Sequence, residues 1–304
     1  MKRKAIQLAN QTIVISLPSK WVKEQGIKKG DDIDVEERGK ELIINSKGSN
    51  EEEKIEIDIS GLNERTVRWI LSGLQKKGYD EIIVKYDKSI IVKTIEELIK
   101  DLFTGFIISE QSENRCVLKS ISKSLENEFD TTLRRAFLVT LSMGESCLET
   151  IKRGNLGNLK ELISLEHTNN QLTNFCERIL NKWGYDDYKQ TCFMYVIVWN
   201  LEKICDEYKY ICEYLSENNK LKIRKEVIEL FEKTNIFLNS YYEIFYKFDI
   251  KKLSKLAEEK KEIEKKAIKF YKTKECKETI IINHLLNIIS KVVDFSTSMI
   301  ILKM

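Results

Sequence analysis

The spacing of apolar residues predicts a short β-strand and a short helix near the start of the chain. Over Thr12–Leu17, isoleucine or leucine occupies every second position, which is the pattern of a half-buried strand. Pro18 ends this strand because it has no backbone N–H to donate. We expect Ser19 to cap a helix over Lys20–Gln25, which ends at Gly26.

Two further strands are predicted to follow this helix. A turn at 29–32 leads into Ile33–Glu36, and a turn at 38–40 leads into Glu41–Asn45. A unit of about 45 residues with strands this short cannot bury enough apolar surface by itself. We therefore expect residues 1–48 to form a small β domain that pairs with a second copy of the chain.

Residues 52–123 combine the periods of strands and helices. Strands are predicted at Ile55–Ile59 and Ile82–Val84, helices at Leu62–Lys77 and Lys93–Phe103, and a hairpin at Phe106–Ser109 and Val117–Ile121. This pattern indicates a small α+β domain with helices on a sheet. We interpret it as a connecting or dimerisation domain, with a small-ligand sensor module as the alternative.

The remainder, residues 126–304, has the 3.6-residue period of helices throughout. Breaks at 154–157, 184–187, 218–219, 248–249 and 272–274 divide it into six helices. An internal repeat aligns Leu201 with Ile289 and Asp206 with Asp294. The sequence therefore predicts an α+β multi-domain protein that ends in two three-helix bundles, residues 126–217 and 221–304.

Composition supports this layout and locates the positive charge. The chain has 304 residues, 1 proline and 12 glycines, which favours long helices. Its net charge is only +3, so a nucleic-acid surface must be local. Residues 1–29 contain seven basic residues and one acidic residue, a local net charge of +6. This imbalance favours phosphate contact by the first domain.

The cysteines and the apolar runs indicate a cytoplasmic protein. Seven cysteines without a C-x-x-C pair are typical of buried thiols in a reducing compartment, and a Cys/His zinc site is not expected. There is no signal-peptide pattern. The longest apolar run, Cys192–Trp199, is too short to span a bilayer, so no membrane insertion is expected.

The first domain resembles the AbrB/MazE/SpoVT family of swapped-hairpin DNA-binding domains. Pro18, Gly26, Gly30 and Asp31 lie in the order strand, proline, short helix, glycine, glycine-aspartate, strand that is typical of this family. The resemblance implies a homodimer that binds double-stranded DNA. The basic residues expected to contact phosphates are Lys2, Arg3, Lys4, Lys20 and Lys23; the alternative is an ordinary solvated surface.

The helical region resembles PhoU proteins, which are phosphate-uptake regulators made of two three-helix bundles. Glu202 and Asp206 lie one helical turn apart and resemble the family's acidic metal motif. The resemblance implies a bound iron, zinc or magnesium ion, with Asn170 or Glu166 as a further ligand. In the second repeat the corresponding residues are Asp294 and Glu264, where Ser290 replaces the first acid. The alternative is a pair of solvated carboxylates balanced by nearby lysines.

Together the two resemblances predict a DNA-binding transcriptional regulator of phosphate uptake, whose helical domain senses or transmits phosphate status. The alternative is an adaptor that binds a phosphate ABC transporter or a signalling protein, with the first domain used only for dimerisation. An enzyme is not expected. The Glu-x-x-His pairs of di-iron bundles, the P-loop and the G-x-S-x-G motif are all missing from the sequence.

Overall fold

A computed structural model divides the chain into two compact units, Met1–Glu52 and Glu53–Met304. It describes residues 2–8, 12–38, 41–45, 52–121, 128–271 and 278–304. The expected domain boundaries at 48–52 and 123–126, the turn at 38–40 and the break at 272–274 lie wholly or mostly outside these residues.

The first unit contains two antiparallel hairpins and one short helix. Its elements are β1 (Ile6–Leu8), β2 (Thr12–Val14), α1 (Ser19–Glu24), β3 (Asp34–Arg38) and β4 (Glu41–Asn45). β1 pairs with β2, and β3 pairs with β4. The two hairpins form separate two-stranded sheets.

Several details of this unit differ from the sequence prediction, among them β3, which spans Asp34–Arg38 rather than Ile33–Glu36. β1 was not predicted, because three residues are too few to show a period. β2 ends at Val14 rather than Leu17, because Val14 is paired with Ile6, the first residue of β1. The predicted cap at Ser19 is wrong: the helix begins at Ser19, and the preceding Pro18 accepts its first hydrogen bond, from Val22 N–H at 2.9 Å.

The turn after α1 depends on two glycines with positive φ. Gly26 has φ +66° and Gly30 has φ +97°, which is backbone that favours glycine. Asp31 closes the turn by accepting a hydrogen bond of 2.7 Å from Lys28 N–H. The spacing of these residues in the sequence therefore has a direct conformational cause.

The second unit begins with a four-stranded sheet. Its strands are β5 (Lys54–Asp58), β6 (Glu81–Lys85), β7 (Phe106–Gln111) and β8 (Arg115–Ser120), and its two helices are α2 (Glu64–Lys77) and α3 (Ile90–Asp101). The strand order is β5-β6-β8-β7, with β5 and β6 parallel and the other pairs antiparallel. Alternate residues of β6 and β8 share a buried core with Leu71 of α2 and Ile95 of α3.

The helical part of this unit has six long helices and one short one among its described residues. They are α4 (Phe129–Lys152), α5 (Ile163–Trp183), α6 (Thr191–Glu217), α7 (Lys225–Tyr246), α8 (Ile250–Tyr271), α9 (Thr279–Asp294) and α10 (Ser296–Lys303), with 3₁₀ turns at Leu156–Leu162 and Tyr188–Gln190. All seven helices contribute to one hydrophobic core. The division into two three-helix bundles stays a prediction.

The sheet layer and the helices are joined by a buried ion-pair network. Arg178 of α5 donates hydrogen bonds to the carbonyl oxygens of Gln75, at 2.9 Å, and Tyr79, at 2.8 Å. It also donates to Asp80 Oδ1 at 2.8 Å, and Lys182 binds the same carboxylate. Both side chains reach the end of α2, so the α+β layer is docked on the helices.

One stretch, Thr279–Lys303, is apolar and long enough to cross a membrane by length and composition alone. It has 25 residues, and an 18-residue segment within it has a mean hydropathy of 1.6. This is weak evidence for a span, because core helices have the same composition, and Ile282, Leu285 and Val292 of this stretch are buried in the helical core. The expected lack of membrane insertion stays a prediction.

Candidate nucleic-acid interface

The described residues of the first unit form no buried core. No side chain described between residues 2 and 52 is buried. Six of its large apolar side chains are between 49% and 70% exposed: Ile6, Leu8, Ile13, Ile15, Val35 and Leu42. Burying each such side chain is worth about 1.5–3 kcal/mol. A second copy that covers these residues would supply the missing core.

The five predicted DNA-contact residues lie on the basic part of this unit. Lys2, Arg3 and Lys4 precede β1, and Lys20 and Lys23 lie on α1. All five are exposed to solvent. Lys20 is 3.7 Å from Glu24, but its side chain is 89% exposed, so this pair is weak. Its ammonium group can therefore exchange that partner for a phosphate.

The second half of the same unit carries the opposite charge. Residues 30–52 contain eight acidic and three basic residues, a net charge of −5, against +6 for residues 1–29. The acidic half includes β3 and β4. Because an acidic segment repels phosphate, only residues 1–29 of this unit have the net charge to attract a duplex. Sequence reasoning missed this asymmetry, although the composition contains it.

The predicted metal ligands on α6 are paired with lysines. Lys203 Nζ lies 2.9 Å from Glu202 Oε1 and 3.1 Å from Asp206 Oδ2. Lys209 Nζ lies 2.7 Å from Asp206 Oδ1. Burial raises the pKa of Asp206, but the two lysines outweigh that effect and hold the pKa below its ordinary value. The chain itself thus supplies the cations between these carboxylates.

The possible third ligands belong to the same network. Glu166 is buried, and its Oε1 accepts hydrogen bonds from Lys209 Nζ at 2.6 Å and Asn170 Nδ2 at 2.8 Å. His167 Nε2 lies 3.7 Å from the other oxygen of Glu166. Asn170 therefore hydrogen-bonds to Glu166 of its own helix, and Glu166 shares Lys209 with Asp206 of α6.

The second predicted metal site has less support. Asp294 is the last residue of α9, and Glu264 on α8 is paired with Lys260 at 3.6 Å. Nowhere in the part of the chain that the structure describes do three or more His, Cys, Asp or Glu side chains form a group that could hold a metal ion. Both metal sites therefore stay predictions without geometric support.

Two buried charged clusters were missed by the sequence prediction. Glu177 is fully buried and forms an ion pair with Lys76. Lys76 Nζ lies 2.6 Å from Glu177 Oε2, but the angles are not those of a hydrogen bond. Glu207 of α6 is approached by His284 Nδ1 at 2.6 Å and Lys291 Nζ at 2.7 Å, both from α9. The partners are between 77 and 101 residues apart in sequence, so no local motif marks them.

Comparison with known proteins bears on the first unit. Residues 6–52 match the family model described as "Antidote-toxin recognition MazE, bacterial antitoxin". No curated protein and no solved structure matches the chain. The matched segment contains both hairpins, α1 and the two positive-φ glycines. Residues 6–52 are therefore a domain of the MazE/AbrB-like type.

Proposed function

We propose that the protein is a DNA-binding transcriptional regulator that acts as a homodimer through its first unit. The observation that carries this proposal is the combination, within 52 residues, of a family match, an uncovered apolar surface and a basic half with a net charge of +6. The apolar residues favour pairing with a second copy. Pairing doubles the basic surface and arranges it symmetrically, as a pseudo-palindromic duplex requires.

Within this proposal, Lys2, Arg3, Lys4, Lys20 and Lys23 contact DNA phosphates. Phosphate contacts position a protein on the duplex without reading its sequence. The helical unit then senses or transmits phosphate status, and this assignment is supported by the resemblance of α6 to PhoU proteins. The proposed activity takes place in the cytoplasm and requires no catalysis.

A mobility shift of a DNA duplex at graded salt concentrations tests the DNA-binding role. Each phosphate contact contributes about −0.9 to the slope of log K against log salt. Lys20→Gln removes one phosphate contact from each copy, so the slope measured for the dimer is expected to become less negative by about 2. Lys225→Gln is the control, because Lys225 is an exposed lysine of the second unit.

Two results would overturn this role. One is the lack of any shift at low salt. The other is an equal change of slope for Lys20→Gln and Lys225→Gln. With no shift, the favoured alternative is the adaptor, in which the first unit only dimerises and the helical unit binds a phosphate ABC transporter or a signalling protein.

Metal analysis of the purified protein beside Glu202→Ala tests the predicted metal site. The resemblance to PhoU proteins predicts iron, zinc or magnesium in the wild type and less of it in the variant. Equal metal contents would discard Glu202 and Asp206 as ligands and leave Lys76, Lys203 and Lys209 as the cations that balance these carboxylates.

A further inference from the structure

The sheet of the second unit has two edge strands that differ in one respect. In β7 the pairing with β8 shifts register between Ile108 and Glu110, which is a β-bulge. Bulges protect an edge from pairing with another strand. The other edge, β5, is a regular strand of five residues without proline or glycine. β5 is therefore the edge with the geometry to accept another strand.

The hydrogen bonds to β6 show which backbone groups of β5 face outward. Ile59 N–H donates to Lys85 O at 2.9 Å, and Glu53 O accepts from Glu81 N–H at 3.1 Å. Odd-numbered residues thus direct their backbone groups towards β6, and residues between them direct theirs away, because the direction alternates along a strand. The outward-facing set is Lys54, Glu56 and Asp58.

We propose that β5 pairs antiparallel with β5 of a second copy of the chain, about a two-fold axis at Glu56. In this register Lys54 lies opposite Asp58 of the second copy, and Asp58 lies opposite Lys54. The outward-facing residues of one strand meet the outward-facing residues of the other, so their backbone groups can exchange hydrogen bonds along the whole strand. The two sheets become one continuous sheet.

The exposed face of the paired strands is electrostatically self-complementary. Two opposite-charge pairs between Lys54 and Asp58 lie on either side of the axis, and such cross-strand pairs stabilise a sheet. The two Glu56 carboxylates meet at the axis, but each is already bound by Lys85 of its own chain. That hydrogen bond lowers the pKa of Glu56 and places a positive charge beside it.

The other face of β5 adds an apolar contact. Ile55 and Ile57 are only half-buried, although both pack against the core beneath α2. In the proposed register Ile55 lies opposite Ile57 of the second copy, so the pairing covers both. The alternation of charged and apolar residues along β5 also fixes the register, because a one-residue slip would place isoleucines opposite charges.

This pairing deepens the proposed function, because it adds a second contact to the homodimer which that function requires. The first unit ends at Glu52, two residues before β5 begins. Dimerisation of the first unit therefore raises the effective concentration of one β5 for the other. The test below separates the two interfaces, because DNA binding is measured independently of strand pairing.

Cysteine cross-linking of the full chain tests the register. Glu56→Cys, made in a Cys192→Ser background because Cys192 is the exposed cysteine among those described, is expected to form a disulfide-linked dimer under mild oxidation with copper phenanthroline. Gln111→Cys is the matched control, because Gln111 is exposed on the bulged edge strand β7. Equal cross-linking rates for the two variants would overturn the proposal.

Charge exchange in the Glu56→Cys background provides the second arm. Lys54→Asp and Asp58→Lys each place like charges opposite one another and are expected to slow cross-linking by about threefold to tenfold. The double variant restores opposite charges and the rate. This restoration cannot come from the contact of Lys54 with Glu81, which the double variant still lacks. A double variant as slow as the single ones would refute the register.

Failure of this proposal is distinguishable from failure of the proposed function. If the first unit dimerises and binds DNA while β5 does not pair, the mobility shift persists and Glu56→Cys cross-links no faster than Gln111→Cys. If β5 pairs and the first unit does not bind DNA, the cross-link forms and the mobility shift is lost.

Discussion

Replacement of Arg178 by alanine is expected to destabilise the second unit more than any surface charge substitution. The Arg178 side chain is only 5% exposed and donates three hydrogen bonds across the boundary between the helices and the sheet layer, to Gln75 O, Tyr79 O and Asp80 Oδ1. Its guanidinium also lies 5.0 Å from the centre of the Phe106 ring. Burial lowers the pKa of Arg178, against the opposing effect of Asp80.

The magnitude follows from what the substitution leaves behind. Removing one partner of a buried ion pair costs about 3–5 kcal/mol, since the other charge remains buried. Lys182 still binds Asp80 in the variant, which compensates part of that loss. Two backbone carbonyls also lose a charged donor, each worth about 1.5–3 kcal/mol, although these contributions are not additive. We therefore expect Arg178→Ala to lower the free energy of unfolding by about 3 kcal/mol.

Urea unfolding of the full chain, followed by circular dichroism, measures this difference. Lys225→Ala is the control, because Lys225 and Glu229 form an exposed pair at 3.8 Å whose loss costs less than about 1 kcal/mol. Arg178→Lys is expected to fall between the two, because one ammonium group cannot reproduce the planar fork of a guanidinium. If Arg178→Ala loses no more stability than Lys225→Ala, the inferred docking of the sheet layer on the helices is wrong.

Four further outcomes are expected. Gly30→Ala should destabilise the first unit by about 1 kcal/mol, because Gly30 has a φ of +97°. Gly73→Ala on α2 should be neutral or stabilising. Hydrogen exchange followed by mass spectrometry measures both effects. Burial raises the pKa of Glu207, but hydrogen bonds from α9 outweigh it and hold the pKa below its ordinary value. Glu207 therefore stabilises the folded protein at pH values above its unfolded pKa, and this stabilisation is lost as the pH falls through its lower folded pKa. Thermal unfolding of Glu207→Gln should not show this loss of stability at acidic pH. Burial raises the pKa of Glu177 above its ordinary value, against the opposing effect of a lysine. The free energy of unfolding should therefore increase as the pH falls from this raised folded pKa to the lower unfolded pKa. Glu177→Gln should not show this increase. Among the cysteines that the structure describes, Cys192 should be alkylated first under native conditions, because the others are buried, and peptide mapping checks the order.

The fold was largely predictable wherever a local pattern determines it. The apolar period located the long helices of the second unit, and α6 shows this over 27 residues. The positive-φ positions of Gly26 and Gly30 were visible as turn signals. β1 was not predictable, because it is specified by its pairing with β2 rather than by any period within three residues.

The candidate sites were likewise predictable only where their residues are close together in the sequence. The basic residues of the first unit are near one another in sequence, so composition revealed them. Arg178 and Asp80 are 98 residues apart and Glu207 and His284 are 77 apart, so only tertiary packing brings them together. The pairing of Lys203 with Asp206 was available from the sequence, because residues three apart on a helix are neighbours.

Cross-linking of the full chain to a DNA duplex, with the attached peptides identified by mass spectrometry, tests the central claim most directly. If a basic first unit carries the protein onto DNA, the cross-links lie within residues 2–29 and disappear at high salt. Cross-links confined to residues 53–304, or none at low salt, would contradict that claim.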